Sequence, residues 1–475
     1  MNDAFPTLRF PQGFFPDLCA RLLRETHQES FALLLGKRIS AGGHTIVRIA
    51  DVAYPCPQDY EEQGLTSLHL KREFIYGQLV RLQREGRYDM VIDVHTHPFI
   101  EAGVAFSGAD DRDEKDFCRW LSDTVADVGY ASIVLSRTDY AARVWEMNSG
   151  WPEARSARIK AQTVAEAWPC ADHQPCDATA PNDVELQTGF LARSVLALGV
   201  DTLRKMMTDQ VIAVVGVGGL GSVIAEHLIH SGFQSLHLID PDRVEITNLN
   251  RIVGAYRSDA EAQRHKVDVV AQHLQRINPD ACVGAHVTGI EDEALIPVLM
   301  QCDWIVVATD SHFSRFHAQR IALQLGVPLI SAGVNITVTG QSITDMSGEV
   351  IIARYGDGLC LNCLGRINPT LVAAEEHREE FVGVELVRRG YVAGRDVKEP
   401  AVKTLNSTVG SIAVDVLLNQ FTQRQRHFPV WVYENNAQFA IYAELDSVEG
   451  RQMDCLFCSS ITRTGMLSRR SVCLS

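Results

Sequence analysis

One group of residues in the first third of the chain has the composition of a metal centre. His95 and His97 follow a predicted strand, residues 90–94, and on an extended segment side chains at i and i+2 point to the same side. With Asp110 they provide two imidazoles and a carboxylate, which leaves zinc a fourth position for water. Zinc lowers the pKa of such a water towards neutrality, and a carboxylate such as Glu29 can take its proton. This group therefore predicts zinc-dependent hydrolysis.

A second group begins at a glycine-rich turn in the middle of the chain. The apolar, β-branched stretch Val211–Val215 predicts a buried parallel strand, and a helical pattern follows the turn. Such a turn brings backbone N–H groups and a helix N-terminus against a phosphate. Asp240 ends the next apolar stretch, where it can bind a ribose hydroxyl. The candidate phosphate-binding glycines are Gly216, Gly218, Gly219 and Gly221.

Charged residues downstream of the turn indicate which nucleotide binds. Arg251 and Lys266 can neutralise charge on phosphate oxygens, and Asp310, after the apolar stretch 304–309, can help to hold magnesium. An ATP triphosphate with magnesium needs these charges, whereas an NAD-dependent hydride transfer does not. The sequence therefore favours an ATP enzyme over an oxidoreductase.

Four cysteines in the last third of the chain form two CxxC pairs. Four thiolates close a tetrahedral zinc site with no open position, which is typical of structural zinc. The 91 residues between the pairs contain no cysteine. The predicted ligands are Cys360, Cys363, Cys455 and Cys458.

The elements that must position these groups predict an α/β protein with two domains. A chain of 475 residues is too long for one ordinary core. We predict a first α/β domain over residues 1–147, a linker over 148–185 and a Rossmann-like, doubly wound domain over 186–475. The net charge of −15 argues against binding to nucleic acid or anionic membranes. The sequence contains no membrane-spanning apolar run or convincing signal peptide, which predicts a cytoplasmic location.

Residues 1–147 resemble the JAMM/MPN (JAB) metallopeptidases. The matching motifs are a Glu before a GxLxG-like strand, His-Thr-His-Pro at 95–98 and Ser-Gly-Ala-Asp at 107–110. The resemblance implies that His95, His97 and Asp110 bind a catalytic zinc, that Glu29 is the general base and that Ser107 stabilises the oxyanion. It also implies hydrolysis of peptide or isopeptide bonds at the C-terminus of ubiquitin-like proteins. The loop before Ser107 is longer than is usual in the family, which leaves Asp110 and Asp111 as alternative ligands.

Residues 186–460 resemble the ThiF/MoeB adenylyltransferases that activate ubiquitin-like proteins. The matching motifs are GVGGLGS at 216–222, LIDPDRVEITNLNR at 238–251, Lys266, INPD at 277–280 and ATDS at 308–311. The resemblance implies adenylation of a carrier protein's C-terminal carboxylate and a homodimer formed through this domain. It implies that Asp240 binds ribose, that Asn248, Arg251 and Lys266 bind the ATP phosphates and that Asp310 lies with magnesium. It also implies that Arg193 reaches the partner subunit's ATP site.

Together the two resemblances imply a bifunctional enzyme of a bacterial-type ubiquitin-like pathway. Bacterial operons that pair such domains are associated with ubiquitin-like conjugation and antiphage defence. Many activating enzymes pass the adenylate to a cysteine after the first CxxC pair, where this chain has none. The acceptor is then a conjugating-enzyme cysteine, a sulfur donor that yields a thiocarboxylate for cofactor biosynthesis, or a cysteine elsewhere such as Cys473.

Overall fold

A computed structural model describes residues 5–161, 186, 189–357, 359–376, 400–436, 439–444, 455 and 457–458. Contacts between residues divide the chain into two compact units. The described residues up to 161 belong to the first unit, and most of those from 186 onwards belong to the second.

The first unit is built on a mixed sheet, which among the described residues has the strand order β10-β1-β3-β2-β6-β7-β8-β9. Its strands are β1 (Thr7–Arg9), β2 (Phe31–Ala41), β3 (His44–Ala53), β6 (Met90–Thr96), β7 (Gly129–Leu135), β8 (Tyr140–Asn148), β9 (Trp151–Ser156) and β10 (Arg158–Lys160). A separate pair joins β4 (Tyr60–Gln63) and β5 (Leu68–Leu70) after a 3-10 turn at Pro57–Asp59. The helices are α1 (Phe14–Leu22), α2 (Arg72–Glu85) and α3 (Gly108–Thr124).

The central strand β6 is buried on both faces because helices cover both sides of the sheet. Met90, Ile92 and Val94 pack in one hydrophobic cluster with α1. Val91, on the opposite face, packs in a second cluster with α2 and α3. Since side chains alternate along a strand, positions 93, 95 and 97 share the face that α3 covers.

The sheet of the first unit extends beyond residue 147, the predicted end of the first domain. Strands β9 and β10 lie within the segment 148–185 that the sequence predicts as a linker, and β10 pairs in parallel with β1. The proline and mixed charges of these strands suit an exposed sheet edge, which explains why the segment resembles a linker. Residues 162–185 and Cys473 lie outside the described residues.

The second unit is built on a sheet whose strand order, within the described ranges, is β13-β12-β11-β14-β15-β16-β17-β18. Its strands are β11 (Val211–Val215), β12 (Ser235–Ile239), β13 (Cys282–His286), β14 (Trp304–Val307), β15 (Leu329–Thr339), β16 (Ser342–Ala353), β17 (Val430–Asn435) and β18 (Phe439–Ala443). The helices are α4 (Ala192–Leu198), α5 (Val200–Thr208), α6 (Gly219–Ser231), α7 (Arg257–Glu261), α8 (Lys266–Ile277), α9 (Ile296–Leu299), α10 (His312–Leu325), α11 (Pro369–Glu376) and α12 (Lys403–Thr422). Two 3-10 turns lie at Ile246–Asn248 and Glu293–Leu295.

Strands β11 to β15 of the second unit run parallel, and β16 to β18 are added antiparallel. Apolar residues of α6, α8 and α12 pack with β11 in one large hydrophobic cluster. The strand order reverses beside β11, which places a crevice at the carboxyl ends of these strands. The predicted α/β class, with a Rossmann-like second domain, is confirmed.

None of the helices in the described part of the chain combines the length and apolar character that crossing a bilayer requires.

Candidate functional site

The first unit brings two histidines and an aspartate together. His95 lies on β6, His97 follows the end of this strand on the same face, and Asp110 lies in the first turn of α3. His95 Nε2 is 3.4 Å from Asp110 Oδ1, and His97 Nε2 is 3.7 Å from Asp110 Oδ2. The ligand atoms of all three residues lie within 4.8 Å of one another.

The geometry of this histidine–aspartate cluster fits a tetrahedral zinc ion. Bond lengths near 2.0 Å place neighbouring ligand atoms of tetrahedral zinc roughly 3.3 Å apart. His95 Nε2 is buried and makes no hydrogen bond to any described residue, so a metal would satisfy it. Burial disfavours a charge on His95, but Asp110 and Asp93 outweigh this effect and raise its pKa to about 10. The cluster therefore stabilises positive charge at the position where a metal would bind.

Glu29 lies beside this cluster because of the pairing between β2 and β6. Phe31 pairs with His95 in the antiparallel register, which places position 29 opposite His97. Glu29 Oε1 is 4.0 Å from His97 Nε2, and the Glu29 backbone N–H donates to Gly64 O at 2.7 Å. Burial raises the pKa of Glu29 to about 7. A carboxylate with this pKa is suited to accept a proton near neutral pH.

The N-terminus of α3 orients Asp110 rather than Asp111 towards the histidines. The Ser107 N–H donates to Asp110 Oδ2 at 2.6 Å, and Ser107 Oγ accepts from the Asp110 N–H at 3.2 Å. This capping box holds the first turn of the helix. Asp111 accepts instead from Arg143 Nη1 at 2.5 Å. Ser107 therefore supports Asp110 in addition to the oxyanion role that the sequence predicts.

Three residues around the cluster were not singled out from the sequence. Thr96 is buried, and its Oγ1 accepts from the Ser30 N–H at 2.9 Å, which fixes the chain next to Glu29. Asp93 and Glu114 lie behind His95, with ligand atoms within 4.8 Å of one another and of His95. The spacing could have indicated them, because Asp93 precedes His95 by two residues and Glu114 follows Asp110 by one helical turn.

In the second unit the glycine turn lies at the carboxyl ends of three adjacent strands. Val215 pairs with Ile239 of β12 and with Val307 of β14. Gly216 has φ +82°, a conformation that favours glycine. A Cβ on Gly221 would lie 1.8 Å from the Gly216 carbonyl oxygen, so no side chain fits there. The turn therefore needs glycine at 216 for its backbone conformation and at 221 for close backbone packing at the start of α6.

Asp240 binds the backbone of the glycine turn. Its Oδ2 accepts from the Val217 N–H at 2.7 Å, and its Oδ1 accepts from the Asp242 N–H at 2.9 Å. Burial raises the pKa of Asp240, while the nearby Lys266 and these hydrogen bonds lower it. The structure thus gives Asp240 a contact with the turn itself, in addition to the ribose contact that the sequence predicts.

The predicted phosphate ligands lie on the segments that follow β12. Lys266 Nζ, at the start of α8, is 2.7 Å from Asp242 Oδ2, so an exposed carboxylate pairs with this ammonium group. A Cβ on Gly219 would lie 2.8 Å from Arg251 Cδ, which places Arg251 against the turn. Asn248 is buried, and its Oδ1 accepts from the Glu245 N–H at 3.2 Å.

Asp310 is exposed between the end of β14 and the start of α10. Another carboxylate lies next to it, at the N-terminus of α10. Glu375 Oε2 accepts from Ser311 Oγ at 2.6 Å and from the Phe313 N–H at 2.9 Å. Glu375 was not identified from the sequence, because its helix is distant along the chain.

Arg193 lies on α4 with an exposed side chain. Its predicted role requires a second subunit, so that role stays a prediction.

The four cysteines of the two CxxC pairs also converge. Cys360 Sγ is 3.6 Å from Cys363 Sγ and 3.8 Å from Cys455 Sγ, and all four sulfur atoms, including that of Cys458, lie within 4.8 Å. Tetrahedral zinc with Zn–S bonds near 2.3 Å places its sulfur ligands roughly 3.8 Å apart. This cysteine cluster can therefore hold a metal with four protein ligands.

Comparisons with known proteins agree with these two units. The sequence profile of the ThiF family matches residues 191–456. The profile described as prokaryotic homologs of the JAB domain matches residues 11–148.

Individual relatives match only part of the chain. A ubiquitin-like modifier-activating enzyme 5 from Drosophila grimshawi is 31% identical over 179 residues, which cover 35% of this chain and 42% of the relative. A molybdopterin-synthase adenylyltransferase from Escherichia coli K12 is 29% identical over 177 residues, which cover 37% of this chain and 67% of the relative. The chain thus spans less than half the length of the Drosophila enzyme. A crystal structure of Escherichia coli MccB aligns with a TM-score of 0.44 at 17% identity, over 59% of this chain and 74% of MccB.

Proposed function

This chain belongs to the ThiF family, and we propose that its second unit uses ATP to adenylate the C-terminal carboxylate of a ubiquitin-like or sulfur-carrier protein. The observation that carries this proposal is the convergence of the glycine turn, Arg251, Lys266 and Asp310 around the carboxyl ends of β11, β12 and β14.

In the proposed reaction, backbone N–H groups of the glycine turn hold the ATP phosphates against the N-terminus of α6. A carboxylate oxygen of the carrier attacks the α-phosphorus, and the bond to the bridging oxygen breaks to release pyrophosphate. Arg251 and Lys266 neutralise the negative charge that the leaving pyrophosphate gains. Lys266 must first exchange its contact with Asp242 for a phosphate oxygen.

Asp310 fits a magnesium role because this ion is usually bound by one or two carboxylates together with substrate phosphates. Magnesium at this position would supply charge neutralisation to the triphosphate. The contact of Glu375 with the N-terminus of α10 keeps the backbone next to Asp310 in place.

We further propose that the first unit is a zinc peptidase that trims or removes the same carrier. A zinc ion held by His95, His97 and Asp110 would act as a Lewis acid and lower the pKa of a coordinated water. Glu29 accepts the proton of the attacking water and returns it to the leaving amine. Ser107, at the N-cap of α3, is our candidate for stabilising the oxyanion.

The alternative end product is a thiocarboxylate on a sulfur carrier. The absence of a cysteine between Cys363 and Cys455 favours it, since a thioester cannot form on the enzyme at that position. Similarity to a molybdopterin-synthase adenylyltransferase is in line with this route. Mass spectrometry of the carrier separates the two routes, because one sulfur is gained in the thiocarboxylate and an isopeptide adduct forms in conjugation.

ATP–pyrophosphate exchange with a candidate carrier tests the adenylation step. Lys266→Ala or Asp310→Ala should reduce exchange about 10²-fold or more, because each removes a charge that stabilises the transition state. Lys205→Ala and Asp268→Ala change exposed residues of the same unit and should exchange normally. Unchanged exchange in the Lys266 and Asp310 variants would reject the assignment.

The subunit arrangement is also a proposal. We infer a homodimer in which Arg193 contributes to the neighbouring ATP site. Mixing the Arg193→Ala and Lys266→Ala variants should then restore exchange above that of either variant alone, because a mixed dimer contains one intact site.

A further inference from the structure

Two acidic residues behind His95 form a buried group that the proposed reaction does not use. Asp93 lies on the same face of β6 as His95, and Asp93 Oδ1 is 3.8 Å from His95 Nδ1. Glu114 faces the same point from α3, one turn after Asp110, because the sheet-facing positions of a helix recur every three or four residues.

Among the residues that the structure describes, one oxygen of each carboxylate is buried without a hydrogen-bond partner. These atoms are Asp93 Oδ1 and Glu114 Oε1. A buried acceptor that lacks a donor is destabilising, so each oxygen is available to a donor brought next to it. His95 Nδ1 faces Asp93 Oδ1, and Glu114 has a carboxylate oxygen within 4.8 Å of a ring nitrogen of the same imidazole.

The opposite oxygens are held by donors that fix the orientation of both carboxylates. The Tyr130 hydroxyl donates to Asp93 Oδ2. Glu114 Oε2 accepts from Arg143 Nε at 2.9 Å and from Trp145 Nε1 at 2.8 Å. These bonds hold one oxygen of each carboxylate and so limit the rotation of both groups beside His95.

We propose that Asp93 and Glu114 are positioning residues that together accept the Nδ1–H of His95 and so present its Nε2 to the metal. A histidine whose Nδ1 carries the proton has its Nε2 lone pair available for a ligand bond. Arg143 offsets part of the negative charge, which allows two carboxylates to share this buried space. The inference deepens the proposed peptidase function and rests on it.

Substitution of Asp93 by asparagine is the sharpest test of this role. The Tyr130 hydroxyl would still donate to the carbonyl oxygen of the asparagine, so the amide NH₂ group would face His95. Two donors would then oppose each other and disfavour the Nδ1–H form of the ring. We expect Asp93→Asn to weaken metal binding at the histidine–aspartate cluster by about 10–100-fold. Glu114→Gln should act in the same direction, and Tyr130→Phe should have a smaller effect.

Asp51 is a matched control for Asp93. It also accepts a hydrogen bond from a tyrosine hydroxyl, that of Tyr88 at 3.2 Å, and it pairs with Arg81. Asp51 lies on β3 and does not belong to the cluster, so Asp51→Asn should leave metal affinity unchanged.

The measurement uses the full chain loaded with cobalt(II) and titrated with a chelator. Thiolate-bound and histidine-bound cobalt have different absorption bands, so the cysteine cluster serves as an internal reference. The expected result is an earlier loss of the histidine-type bands in Asp93→Asn, with unchanged thiolate bands and an unchanged unfolding midpoint.

Three outcomes would overturn the inference, and they are distinguishable. Equal affinities of Asp93→Asn, Glu114→Gln and the original protein would reject the positioning role but leave the zinc site standing. Failure of the original protein to bind cobalt outside the cysteine cluster would reject both the proposed peptidase site and the positioning role. Two cobalt ions bound outside the cysteine cluster would make Asp93 and Glu114 ligands of a second cation.

Discussion

The histidine–aspartate cluster and the cysteine cluster both bring ligand atoms together at metal-binding distances, but they differ in the number of ligands and in where these lie along the chain. The first has three ligands from one strand and the next helix, within sixteen residues of sequence. The second has four thiolates from two segments separated by 91 residues. Three ligands leave a position for chemistry, whereas four close the site.

This difference indicates what each metal would contribute. The backbone around His95 is held by the sheet and by two hydrophobic clusters, so the first unit does not depend on a metal for its core. The cysteines join segments that are far apart in the chain, so a shared metal would cross-link them in addition to the hydrophobic core of the second unit. Metal loss should therefore abolish activity in the first unit and reduce stability in the second.

The largest expected effect is that of Cys455→Ser. Loss of one thiolate removes a large part of the ~10 kcal/mol or more that a structural zinc contributes. The thermal unfolding midpoint of the second unit should fall by about 10 °C or more. Calorimetry measures the unfolding midpoint, and metal analysis of the purified protein measures its zinc content. Cys282→Ser changes an exposed cysteine of the same unit and should alter neither. A Cys455→Ser variant with full zinc content and an unchanged midpoint would contradict the structural role.

Mild chelation should separate the two clusters without any mutation. We expect a chelator to remove the metal from the open, three-ligand cluster first and so abolish cleavage of a carrier that has a C-terminal extension. ATP–pyrophosphate exchange should persist, because the closed cluster keeps its metal. Added zinc should restore cleavage. Simultaneous loss of both activities would show that the clusters do not differ in this way.

Glu29→Gln should reduce cleavage by about 10²–10⁴-fold, the usual contribution of general acid–base catalysis. Metal content and unfolding midpoint should stay unchanged, since Glu29 is not among the predicted ligands. Steady-state cleavage assays with zinc analysis test this expectation. Glu25→Gln, at an exposed position nearby, is the control. Full cleavage by Glu29→Gln would remove Glu29 from the role of base.

The smallest expected effect concerns the support of the cysteine cluster. Gln319 of α10 is buried, and its Oε1 accepts from the Leu361 N–H, inside the first CxxC pair, at 2.5 Å. Gln319→Met leaves this N–H without an acceptor and should destabilise the second unit by about 1–3 kcal/mol. Denaturant titration followed by tryptophan fluorescence measures this, with the exposed Gln301→Met as control. Equal stability of both variants would show that α10 does not support the cluster.

Local sequence was sufficient where the ligands are close along the chain. Strand alternation predicts that His95 and His97 face the same side, and they do. The glycine spacing predicts the strand–turn–helix at Val211–Val215 and α6, and the structure has it. The choice between Asp110 and Asp111 as the third ligand could be made only from the fold. Asp110 faces the histidines while Asp111 pairs with Arg143, because a helix turns about 100° between consecutive residues.

By itself, the sequence determined the α/β class of both domains, the position of the glycine turn and the residue types of each site. It could do so because strand and helix periods are local properties of a chain. Only the tertiary structure decided which distant groups meet. The pairing of β2 with β6 brings Glu29 to His97, and the packing of α3 on the sheet brings Glu114 to Asp93. Such contacts depend on strand order and helix docking, which are set by the packing of whole hydrophobic faces.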